Sequence, residues 1–200
     1  MTTIASALLI CLPGFSTPPQ PLRVEIRIEG TAPPPAFVAA AIEEAADIWA
    51  VYGVRIRVPA ADAVDDGGLR LVVKFTRPGE RHTARGALGS ILFDGNAPEP
   101  TIELYPTAAS ALIAAVAFNR RESAWPAGPE DKVLARVLGR ALAHEIGHFL
   151  LRSKTHSRDG LMRAEHIGSD LMAPGHRGFA LSPDEICTLH AVLSASVEEQ

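Results

Sequence analysis

The sequence predicts an α+β domain built on one mixed, twisted sheet. Three observations point there. The first half carries short runs that alternate apolar and charged residues, the period of a strand with one buried face. A single amphipathic helical stretch interrupts them. The second half then changes to long runs with apolar residues at helical spacing, so strands come first and long helices later.

LRVEIRI (residues 22–28) reads as the first strand, and TAPPP breaks the chain after it. From residue 36 to 52, Val38, Ile42, Ala45, Trp49 and Tyr52 recur at helical spacing while Glu43, Glu44 and Asp47 lie largely off that stripe. This predicts an N-terminal helix closed by Gly53, with Trp49 in the core. VRIRV (54–58) and LRLVVKF (69–75) are further strands, separated by the acidic loop DAVDDGG. ALGSILF (87–93) and TIELY (101–105) complete the set, with DGNAPEP as their link. TAASALIAAVAF suits a short buried helix, and NRRESAWPAGPED an exposed loop in which Trp125 edges a cleft or packs locally. The run from Glu130 to about Leu151 is a long helix whose opening acidic residues suit its N-terminal dipole. After an irregular stretch, LSPDE starts a C-terminal helix: Ser182 is the N-cap, Pro183 takes the first helical position and Glu185 closes a capping box.

At 200 residues the chain has the length of one domain, expected over residues 21–200. Its hydrophobic fraction of 47% and charged fraction of 21% are those of a globular protein rather than a disordered one or a coiled coil. The net charge of −4 and scattered arginines argue against nucleic acid as a partner, because a phosphate-binding surface needs a local excess of Lys and Arg. No stretch reaches the length of a membrane span. Within residues 1–20, the apolar run IASALLICLPGF precedes the Pro-rich STPPQP. It reads either as a weak secretory signal, lacking a positive n-region, or as an ordinary apolar segment, so export is expected with a cytoplasmic location as the alternative. Cys11 lies in that segment and Cys187 near the other end, so cleavage leaves one thiol and no disulfide.

The chemistry concentrates in AHEIGHFLLRSKTHSRDGLM, residues 143–162. Residues four apart stack on one helical face, so His144 and His148 present two imidazoles to one point. Glu145, next to the first of them, reaches a water on a metal without itself binding the metal. In that arrangement Zn²⁺ acidifies water and a neighbouring carboxylate takes the proton. HExxH on a helix is a metalloprotease signature, and the periodic run DKVLARVLGRALA supplies the helix. A third ligand must come from beyond the helix end, leaving one position open for water. His156 follows the turn-like RSKT; His166, Glu165 and Asp170 are its rivals. His82, His176 and His190 have no ligand spacing.

HEIGHFLLRSKTH followed by GLM resembles the metzincin zinc metallopeptidases, whose pattern is HExxHxxGxxH and a Met-containing turn beneath the metal. It is similar still more closely to small bacterial zincin-like proteins with a late third His and a G-[IL]-M-R turn. The resemblance implies a metzincin-like fold with one zinc on His144, His148 and His156, Glu145 as general base, and Met162 in the turn. Met172, in DLMAP, is the alternative turn residue. It also implies an endopeptidase that binds an extended peptide along an edge strand, here residues 87–93, through the peptide backbone. Arg163 and His166 are candidates to stabilise an oxyanion. Two alternatives stand beside this: a zinc-binding module without catalysis, and a zinc hydrolase acting on something other than peptides. A monomer is presumed.

The chain departs from the metzincin pattern twice. Leu151 replaces the glycine that ends the helix, and Lys154 occupies the third ligand's place, so His156 arrives two residues late. The extra length suggests a wider reversal that needs no positive φ at Leu151. In zincins whose third ligand is a glutamate on a following helix, an aspartate usually stands four residues beyond it. Here Ser169 is in that place after Glu165.

Overall fold

A computed structural model describes residues 21–59, 67–77, 86–119 and 130–198. The expectations for the N-terminal segment, His82, Trp125 and most of the acidic loop fall outside those residues. In chain order the elements are β1 (Leu22–Glu29), α1 (Pro35–Ala50), β2 (Val54–Arg57), β3 (Leu69–Phe75), β4 (Gly89–Asp94), β5 (Ala97–Leu104), α2 (Pro106–Asn119), α3 (Glu130–Leu151), α4 (Gly168–Met172) and α5 (Pro183–Glu198). They form an α+β fold on one five-stranded mixed sheet of order β2-β1-β3-β5-β4. Four strands run parallel; β4 lies antiparallel to β5 at one edge.

The alternating pattern of β1 turns Val24 and Ile26 inward, where both are fully buried. Against them and their neighbours on β2 and β3 packs the apolar stripe of α1, with Val38, Ile42, Ala45, Ile48 and Trp49 in the core. Helix α1 packs in turn against α3, which also contacts β4 and β5. Pro35 opens α1 at a position that needs no amide hydrogen. The helix ends at Ala50, two residues short of the expected end. Tyr52 lies in the closing turn, where its hydroxyl accepts the Leu181 amide at 2.7 Å, and Gly53 follows at φ 74°.

The segment DGNAPEP is no loop. Gly95 and Asn96 form a two-residue turn, and Ala97 to Pro100 already belong to β5. The prolines disguised it. They are tolerated because β3 pairs with β5 only from Thr101 onward, so residues 97–100 need ladder bonds on the β4 side alone. The C-terminal helix has the expected capping box: the Ser182 amide donates to Glu185 Oε2 at 2.7 Å, and the Glu185 amide to Ser182 Oγ at 3.3 Å. Between α3 and α5 the chain is largely irregular, interrupted only by the five-residue α4. None of the described helices is long and apolar enough to cross a membrane.

Candidate metal centre

Helix α3 buries one broad face, including Val137, Leu138, Leu142, Ile146 and Leu150. Beside it runs a stripe of polar residues four apart: Arg136, Arg140, His144 and His148. The helix ends in a Schellman reversal, with the Arg152 amide on the Phe149 carbonyl at 3.3 Å and the Ser153 amide on the His148 carbonyl at 3.2 Å. Leu151 needs no positive φ, as the extra length suggested, but the left-handed residue has only moved along by one. Arg152 adopts φ 48°, at a cost of about 1 kcal/mol for a side chain with a Cβ. From there Ser153 Oγ accepts the Thr155 amide at 3.2 Å and shapes the loop that returns His156 toward the helix.

Three imidazoles converge. His148 Nε2 stands 3.1 Å from His144 Nε2 and 3.2 Å from His156 Nε2, and ligand atoms of all three lie within 4.8 Å of one another. His144 Nδ1 contacts the Leu161 carbonyl at 2.8 Å, and His148 Nδ1 the Ser153 carbonyl at 2.6 Å. A carbonyl can only accept, so each Nδ1 carries its proton and, in the neutral ring, each Nε2 presents a lone pair. Two such nitrogens 3.1 Å apart are placed to share a cation between them. A tetrahedral zinc with bonds of 2.0–2.1 Å separates its nitrogen ligands by about 3.3 Å, which the two short separations approach. The donor set fits such an ion. Burial first, then the neighbouring imidazoles, drive the His144 pKa down to about 3 and that of His148 in the same direction, so both rings are neutral near pH 7.

Glu145 is buried and accepts the Ile91 backbone amide, which places its carboxylate between α3 and β4. Burial pushes its pKa up to about 8, and a dication beside it would draw that value back down. Its side chain approaches β4 at Gly89, where a Cβ would stand 3.3 Å from Glu145 Cγ and 3.0 Å from the Glu103 carbonyl. Met162, almost fully buried, lies directly against Gly147; a Cβ there would overlap its sulfur. The glycine inside HEIGH is thus the seat of the methionine. Met172 is buried too, but its backbone carbonyl faces Arg136 Nη1 at 2.9 Å.

The rival ligands are not part of the three-histidine group, although the His166 ring lies 6.1 Å from that of His144. His166 donates through Nε2 to the same Leu161 carbonyl at 3.2 Å and stacks on Phe179, with ring centroids 4.9 Å apart. Glu165 is exposed, and Asp170 offers its backbone carbonyl to Arg140. A cleft of about 560 Å³ opens over the site, lined on one side by residues 87–93 of the β4 edge and on the other by α3, Lys154, His156, Arg163 and His166.

Arg140 went unnoticed in the sequence, and Lys154 has a role there that spacing does not show. Arg140, its side chain wholly buried, bonds Glu44 of α1 at 2.7 Å and the carbonyls of Asp170, Ala173 and Gly175, with its guanidinium 4.6 Å over Phe179. The signal was available: an arginine one turn before His144 on a helix otherwise buried there. Lys154, standing where the family pattern has its ligand, instead reaches the Gly95 carbonyl at 2.5 Å and ties the ligand loop to the β4–β5 turn. No family model matches the chain, and no curated protein matches it.

Proposed function

We propose that the chain is a zinc-dependent endopeptidase of metzincin-like fold. One observation carries the reading: two imidazoles with carbonyl-fixed tautomers meet a third in a cleft that also holds a buried carboxylate and a sheet edge. His144, His148 and His156 would hold the zinc, which when bound would supply the Lewis acidity that acidifies water and polarises a peptide carbonyl. The outward backbone of β4 pairs with an extended peptide and sets its register. Glu145 takes a proton from the attacking water and returns it to the departing amine nitrogen as the new C–O bond forms and the C–N bond breaks. Met162, on Gly147, supports the floor under the histidines, while the one N–H of neutral His166 is already given to the Leu161 carbonyl, which leaves it none for an oxyanion.

Metal analysis of purified protein joined to a broad peptide-library digest tests this, with Glu145→Gln as the variant. We expect one zinc per chain in both proteins and a fall in peptide hydrolysis of about 10²-fold or more in the variant. Loss of zinc from the variant, or undiminished turnover, would sink the role of Glu145. Bound zinc with no peptide cut would favour a binding module or a hydrolase of another substrate. A purely structural site usually has four protein ligands and needs no base, and three histidines beside Glu145 fit that poorly.

A further inference from the structure

The cleft is electrically lopsided. Among the described residues that line it, Glu145 is the one carboxylate, against the cations of Arg140, Lys154 and Arg163. Arg140 is matched by Glu44. Lys154 and Arg163 have no carboxylate partner among the described residues. Each is instead oriented by a neutral group: Lys154 Nζ by the Gly95 carbonyl and the Phe93 ring, 5.2 Å away, and Arg163 Nε by the Glu165 carbonyl. A carbonyl anchor fixes a cation's position without cancelling its charge. It also leaves two ammonium hydrogens on Lys154 and the bidentate NH₂ edge of Arg163 to be used. The facing strand β4 contributes no charge to the cleft.

We propose that the cleft selects its peptide by a carboxylate near the scissile bond, taken by Lys154 and Arg163. This rests on the peptidase reading. The carboxylate belongs either to an Asp or Glu side chain or to the end of the peptide, and the experiment separates the two. Acetylated, amidated peptides carry Glu, Gln or Lys in turn at each of three positions on either side of the cleaved bond. A further neutral set has free C-termini. In the parent protein kcat/KM for the best Glu peptide should exceed that of its Gln partner by about tenfold or more, the worth of a charge-assisted hydrogen bond, with Lys lowest. The preference should shrink as salt rises.

Lys154→Met and Arg163→Gln should each reduce the Glu-to-Gln ratio, which is internal to each variant and so unaffected by a general loss of activity. Where a variant cuts too slowly, the ratio of dissociation constants for the same peptides, measured with Glu145→Gln added, replaces it. A gain confined to free C-termini assigns the carboxylate to the peptide's end. Equal rates for Glu and Gln peptides and no gain from a free C-terminus, or ratios unmoved in both variants, overturn the inference and leave the peptidase standing. If no peptide of any set is cut or bound, the peptidase reading falls and takes this inference with it.

Discussion

The two walls of the cleft are held by different means. The β4 wall is a strand, its backbone paired with β5 in an ordinary antiparallel ladder. The opposite wall, from residue 153 to 175, is mostly irregular, and many of its carbonyls are met by side chains of one helix. Arg136 takes that of Met172, Arg140 those of Asp170, Ala173 and Gly175, His144 that of Leu161, and His148 that of Ser153. Four residues one turn apart on α3 thus replace a ladder. Two of them are the imidazoles that converge with His156, so the groups that would bind the metal also organise the wall they stand on.

The irregular wall is most vulnerable at Arg140. Arg140→Ala should cost about 3–5 kcal/mol, because the Glu44 carboxylate, its side chain only 15% exposed, loses its closest partner. Hydrogen exchange should show amides of residues 160–178 losing protection while those of β4 and β5 keep theirs. Equal loss on both walls would mean the two are not separately supported.

Next in size is His156, which makes no hydrogen bond to a carbonyl of the irregular wall among the described contacts. His156→Ala should therefore weaken zinc binding by more than about 100-fold, beyond the effect of an outer partner, with little change in the unfolding midpoint of the metal-free protein. Glu165→Ala and His166→Ala should hold zinc far better at the same chelator concentration. If His156→Ala retains zinc like the parent, the metzincin-like reading fails.

Met162→Ala should cost about 2–5 kcal/mol by opening a cavity against Gly147, whereas Met162→Leu should stay below about 1.5 kcal/mol with zinc intact. Denaturant titration of both, alongside Met172→Ala, decides which methionine seats the histidine helix. The smallest effect sharpens the picture at the helix end. Arg152→Gly should raise stability by up to about 1 kcal/mol, since glycine adopts φ 48° without strain but loses more entropy on folding. No gain in thermal midpoint would show that the left-handed turn costs little here.

The same contrast explains what the sequence disclosed. β1, β2, β3 and α3 are legible because their periods and caps are local, and Ser182 with Glu185 announces α5 for the same reason. The hairpin at Gly95 and Asn96 is hidden by Pro98 and Pro100, whose tolerance depends on β3 pairing with β5 only from Thr101 onward. α4 is too short to show a period. His144 and His148 follow from helical spacing, but the return of His156 depends on a reversal at Arg152 that only the folded backbone displays. Gly89 and Gly147 read as neutral spacers until Glu145 and Met162 are seen lying on them.

Trp49 gives this centre an optical handle. Its indole Nε1–H donates to the Ala143 carbonyl at 3.0 Å, and its ring reaches within 3.5 Å of where a Cβ on Gly147 would stand. The fluorophore is fully buried and sits on the very turn of helix that carries His144, with one other tryptophan, Trp125, in the whole sequence. With Trp125→Phe, emission wavelength and lifetime would follow the packing of that turn alone, so the metal uptake proposed for the site would be timed in stopped flow without a dye attached to the protein.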